Sequence, residues 1–301
     1  MTKQQQRRGP KLIGRAVLLL LTIAVTLTFL TNEKQAIFVI YTNAPQTSTT
    51  THMNREALVA AAAHSDEVTT HHIVQSSSPS GGLNLPTPAF VVGFPKSGTT
   101  SVYRFFNCSG VVTQHFCSGG ERRDHPPCRY GKMSNCILQN MAKPNRTMLQ
   151  GCGDYTVYAQ IDGERDTGGI FLPQHFHLDR LHQEHPDATF ILPLREPNEW
   201  ARSVVNWFQL KGKFIKEYTV KSSNHTPPAR GRAVQFLKSI YVEHTAFIQD
   251  FVLQHPSHTL VQFNISDANH AGNVLAQAFG LDTAQTCWGH YNLAREKANS
   301  K

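Results

Sequence analysis

At 301 residues, 40% of them hydrophobic and 17% charged, the chain is long enough to bury a sizeable core. A formal net charge of +8 points to an anionic partner: a nucleotide-like cofactor, an acidic glycan or a membrane surface. No nucleic acid is expected, because no basic run outside the N-terminus and no nucleic-acid-binding motif is found.

Leu12 to Leu30 is apolar apart from Arg15 and several threonines. As a helix it would cover about 28 Å, close to the roughly 30 Å hydrocarbon core of a bilayer. Lys3, Arg7, Arg8, Lys11 and Arg15 precede or open this stretch, and Glu33 and Lys34 follow it. The positive-inside rule therefore predicts a cytoplasmic tail over 1–11, a transmembrane signal-anchor over 12–30, and the rest of the chain across the membrane. A cleavable signal peptide is the alternative, although no clear A-x-A site follows. Residues 31–88 read as a stem, with a Thr/Ser/Pro/Asn-rich stretch at 42–51 and a Ser/Gly-rich linker at 76–82. Beyond the anchor stand four glycosylation sequons, at Asn107, Asn145, Asn224 and Asn264.

The globular domain is expected over 89–301. The apolar run Ala89 to Val92 predicts a buried strand, and a glycine-bounded loop, Gly93 to Gly98, follows. Thr99 and Thr100 open an amphipathic helix with Val102, Phe105 and Phe106 on one side. A strand, tight loop and helix N-terminus in that order form an anion cradle, because the first helical N–H groups have no intrahelical acceptor. Lys96 adds a full charge, and Ser97, Thr99 and Thr100 add hydroxyls. The loop is not a Walker A sequence, whose lysine follows the second glycine. Here Thr99 holds that place and the lysine lies two residues before Gly98.

Further along, short strands are predicted over 110–116 and 146–153, and a helix over 174–184. Ala188 to Leu194 reads as a strand ending at Arg195, and 198–210 as a helix. A long helix over 234–253, a strand over 258–263 and a helix from Asp267 to Phe279, stopped by Gly280, complete the pattern. Alternating strands and helices predict an α/β fold with a P-loop-like central parallel sheet flanked by helices. Ligands on such sheets bind outside the carboxyl ends of the strands, where both the loop and Arg195 stand. Five of the six cysteines fall between 108 and 152. An even count in an oxidising lumen implies disulfides that staple this loop-rich stretch, with connectivity left open.

The hexapeptide Pro95-Lys96-Ser97-Gly98-Thr99-Thr100 resembles the 5′-phosphosulfate loop, P-K-S/T-G-T-T, of sulfotransferases that use 3′-phosphoadenosine 5′-phosphosulfate (PAPS). Arg195, Pro197 and Ser203 resemble that family's 3′-phosphate motif, R-x-P-x(5)-S. The resemblance spans about residues 89–282, and the predicted anchor aligns it with Golgi carbohydrate sulfotransferases. It implies PAPS as co-substrate, no metal, a glycan acceptor and a type II Golgi membrane protein with a luminal catalytic domain. Lys96 would stabilise the leaving phosphate. His115, in Gln114-His-Phe116, stands where relatives carry a glutamate and histidine before a phenylalanine, and is the first candidate for general base. Asp154 is the second: Gly153-Asp-Tyr-Thr156 resembles the family's G-E-K-[ST]-P, with Asp for Glu and Tyr for Lys. The family's C-terminal K-G-R is absent; only Arg295 and Lys297 stand near its place. A P-loop kinase or nucleotide hydrolase, and an inactive glycan-binding protein, are the alternatives.

Overall fold

Strand β1 (Ala89–Val91) is fully apolar, and all three of its residues are buried. It leads through the glycine loop into α1 (Thr99–Cys108), then β2 (Thr113–Gln114), α2 (Met133–Met141) and β3 (Val157–Tyr158). A small hairpin of β4 (Gly163–Glu164) and β5 (Ile170–Phe171) follows, then α3 (Pro173–Phe176) and α4 (Leu178–Glu184). The chain continues through β6 (Thr189–Leu194), α5 (Pro197–Val205), α6 (Leu210–Lys221) and α7 (Ala233–Gln254). It finishes with β7 (Thr259–Asn264) and α8 (Ala268–Phe279). The computed structural model describes residues 83–117, 131–165, 168–222, 224–281 and 286–289. The predicted anchor, nearly all of the stem, and Arg295 and Lys297 lie outside the described residues. Among those described, no helix is long and apolar enough to cross a membrane.

The main sheet has the order β2-β3-β1-β6-β7, and every pairing in it is parallel. This is the predicted α/β sheet, with β1 at its centre. The chain leaves β1 toward β2 and β3 on one side and later takes β6 and β7 on the other, so the strand order reverses around β1. Alternation sorts the side chains of the strands to two faces. Ala89, Val91, Val157 and Ile191 pack against Val102, Phe105 and Phe106 of α1 and against α8. Phe90, Tyr158, Phe190 and Leu192 pack against α2, α4 and α7. A third cluster joins Phe94 to Trp200, Phe214, Tyr218 and Tyr241 of helices α5, α6 and α7. Each fully buried Phe or Leu contributes about 1.5–3 kcal/mol, so the loop after β1 sits on a strongly packed floor.

The ends of α8 follow their sequence signals. The Asp267 carboxylate accepts from the His270 N–H at 3.0 Å, and Gly280 takes the left-handed turn at φ 68°. Three other expectations change. No strand forms over 146–153; the segment is a turn whose Met148 and Gln150 carbonyls accept from the Asn140 amide. That side chain supplies the hydrogen bonds a neighbouring strand would have given. The helix predicted over 174–184 is two helices, broken at His177. The helix predicted over 198–210 ends at Val205, and a turn carries Trp207 and Phe208 before α6 begins.

The cysteine staple reaches further than the loop-rich stretch. Cys136 pairs with Cys152 as neighbours in that region, but Cys108 at the end of α1 pairs with Cys287, 179 residues away. Cys117 is also disulfide-bonded.

Candidate active site

The loop after β1 is shaped by sterics before any side chain acts. A Cβ on Gly93 would lie 2.6 Å from Ser97 Oγ and 3.1 Å from Pro193, so only glycine fits there. Gly98 stands at φ 102° as the residue before α1, and a Cβ there would press on Ile265 at 3.0 Å. Between them Lys96 adopts φ 74°, a left-handed conformation that is uncommon for lysine. The turn is closed from inside by Ser97. Its N–H donates to the Phe94 carbonyl at 3.1 Å and its hydroxyl to the same oxygen at 2.6 Å. Ser97 is fully buried, and this hydrogen bond gives its hydroxyl to the turn. Thr99 is buried and Thr100 half-buried in the first turn of α1.

The second motif comes from the neighbouring strand. Arg195 follows β6, its N–H donates to the Tyr241 hydroxyl at 2.8 Å, and its guanidinium Nη1 donates to the Lys96 carbonyl at 3.3 Å. The Nε of the same guanidinium faces Glu199 at 3.6 Å, a partly exposed and therefore weak pair. The Glu196 carboxylate caps α5 by accepting from the N–H groups of Asn198 and Glu199 at 3.0 and 2.7 Å. Ser203 lies half-buried on α5. Trp200 of the same helix donates its indole N–H to the Pro95 carbonyl at 2.9 Å and stacks on Tyr241. The two predicted phosphate motifs are thus wired together through backbone carbonyls of the loop. The helical pattern of the sequence marks Trp200 as apolar, but nothing in it signals the bond to Pro95.

Of the two candidate bases, the fold brings one to the loop. His115 follows β2, and its Nε2 lies 3.3 Å from Thr100 Oγ1 in the first turn of α1. Asp154 is exposed and precedes β3, whose Val157 pairs with Ala89 at the start of β1. Parallel strands run the same way, so Asp154 stands at the amino edge of the sheet, opposite the loop. It is not in the candidate site.

Sequence reasoning missed a buried polar layer under the loop. Gln174 donates to the Gly93 carbonyl at 3.3 Å and to the Asp162 carboxylate at 2.9 Å, and Gln160 donates to the other Asp162 oxygen at 3.1 Å. Asp162 is only 2% exposed, and burial pushes its carboxyl up to about 7 despite these hydrogen bonds. His244 meets the Val92 carbonyl at 2.7 Å, stacks on Phe94, and lies 3.0 Å from His175. Burial, and then His175, hold His244 well below the usual imidazole range, so it is neutral. The only hint in the sequence was polar residues set among apolar ones, which does not distinguish a buried network from a surface.

Among the described residues, no group of three or more His, Cys, Asp or Glu is placed to hold a metal ion. Positive charge at the loop comes instead from Lys96, Arg195 and the N-terminus of α1. The arrangement suits an anion that changes charge during group transfer, with an imidazole beside it to accept a proton. No curated protein matches the chain. The model of the sulfotransferase family matches residues 88–230, a stretch that contains the loop, His115, Arg195 and Ser203, and this supports a sulfotransferase.

Proposed function

We propose that the chain transfers a sulfuryl group from PAPS to a hydroxyl, or an amine, of a glycan acceptor. The observation that carries this reading is the contact between the Arg195 guanidinium and the Lys96 carbonyl. In this reading the two motifs that the contact joins are anion grips, one for a 5′-phosphosulfate and one for a 3′-phosphate. A nucleoside triphosphate would need a lysine after Gly98 and a Mg²⁺-binding carboxylate at a strand end, whereas Thr99 follows Gly98 and Arg195 follows β6.

In the proposed reaction, the helix terminus and loop amides hold the 5′-phosphate, and Arg195 with Ser203 holds the 3′-phosphate. The acceptor oxygen attacks sulfur while the bond from sulfur to the phosphate oxygen breaks. His115 takes the proton from the acceptor hydroxyl. Lys96 neutralises the charge that grows on the departing 3′-phosphoadenosine 5′-phosphate. The setting belongs to the same proposal: a signal-anchor over 12–30 holds the catalytic domain in the Golgi lumen, where glycan acceptors pass. The net charge of +8 favours acidic glycans.

Transfer of labelled sulfate from PAPS to a panel of glycans by the full-length protein tests the reading. Labelled product that disappears with excess 3′-phosphoadenosine 5′-phosphate is the expected result. Absence of both product and nucleotide binding would sink it. Mg²⁺-dependent ATP turnover would establish the kinase alternative, and glycan binding without transfer the inactive one.

A further inference from the structure

The Lys96 side chain has a partner that belongs to neither phosphate motif. Its ammonium lies over the indole of Trp207, 3.6 Å from the ring centroid. Trp207 sits in the turn between α5 and α6, fixed on both sides. Its N–H donates to the Val204 carbonyl at 3.2 Å, and its carbonyl accepts from the Leu210 N–H at 2.9 Å. The next residue, Phe208, takes φ 38° and leaves its ring 84% exposed, edge-on to Trp207. A strained lysine therefore faces a strained aromatic turn. Left-handed backbone at bulky residues persists only where the surroundings over-determine it, and it clusters at functional sites.

We propose that Trp207 is a positioning residue for Lys96: its indole face holds the ammonium beside the loop. Lysine is a point charge on a flexible four-carbon stem, so left alone it samples many positions. An aromatic face attracts the cation through its quadrupole and adds no charge of its own. The catalytic consequence rests on the sulfuryl-transfer reading; the contact itself does not. The loop backbone and Arg195 bind donor whether or not the ammonium is held, so the expected loss falls on the chemical step.

Two measurements on the full-length protein decide this. In steady-state kinetics, Trp207→Ala lowers kcat about tenfold while the KM for PAPS moves less than about twofold, and Trp207→Phe recovers most of the loss. A Trp207→Ala enzyme with wild-type kcat would overturn the proposal. So would equal losses in the Ala and Phe variants that follow their thermal stability. In the second measurement, Lys96→Met changes indole emission in the wild-type background but not in Trp207→Phe. An emission change that persists without Trp207 also overturns it. If the wild type neither binds nucleotide nor transfers sulfate, the sulfuryl-transfer reading fails, while the emission measurement still decides the contact.

Discussion

The two edges of the parallel sheet differ in what they gather. At the carboxyl edge, Lys96, Thr100, His115 and Arg195 come from three chain segments, joined by the Thr100–His115 and Arg195–Lys96 contacts. At the amino edge stand Asp154 and a histidine cluster, in which His182 meets His258 at 2.9 Å and His258 also meets the Ala188 carbonyl at 2.8 Å. Both edges are rich in groups able to do chemistry. At the carboxyl edge, however, the backbone also offers a helix N-terminus and a glycine-bounded loop. The histidines at the amino edge tie strand ends together. A titratable residue therefore gains meaning from the strand end on which it sits.

Variants at the two edges test that contrast. The largest effect is expected from Lys96→Met, which removes the charge facing the leaving group and should lower kcat about 10²–10³-fold in a sulfate-transfer assay. His115→Asn should cost about 10²-fold or more in kcat with a hydroxyl acceptor. A wild-type rate in either variant would dissolve the claimed convergence. Arg195→Ala should weaken binding of 3′-phosphoadenosine 5′-phosphate by about 10- to 100-fold in calorimetry, the usual range for one charge-assisted contact.

Asp162→Asn probes the layer beneath the loop through stability. The folded carboxyl is raised to about 7 from 3.8, so the folded state holds its proton more tightly than the unfolded chain. Wild-type stability from this group is therefore present below about 4 and lost as pH rises toward 7. In thermal melts, the variant should gain on the wild type across that window and match it at pH 4. The buried histidines act oppositely. His175 is lowered to about 4 by burial and then by His225, so the unfolded chain takes the proton first as pH falls below 6.5. That contribution is common to both proteins and cancels in the difference. The smallest effect is expected from Asp154→Asn, with kcat within about twofold of wild type; a hundredfold loss would return Asp154 to the site.

Much of the site was legible because its motifs are local. Six consecutive residues, Pro95 to Thr100, state a strand-to-helix loop with a displaced lysine, and glycine spacing alone announces the tight turn. Arg195 was legible for the same reason, standing at the end of an apolar run. The inward turn of the Ser97 hydroxyl was not legible, because a hydroxyl in a loop points inward or outward according to turn geometry. Asp154 was misread because local likeness says nothing of which sheet edge a residue reaches.

The sequence by itself determined the α/β alternation, the anion loop, the arginine at the next strand end, and the cap and stop of the last helix. These depend on periodicity, glycine and capping chemistry within a few residues. Only the tertiary structure decided that Arg195 meets the Lys96 carbonyl and that Trp207 holds the lysine ammonium. It likewise decided that Asp162 lies buried under Gly93 and that Cys108 reaches Cys287. Each of these joins residues far apart in the chain, and such contacts follow from strand order and helix packing, which no local pattern encodes.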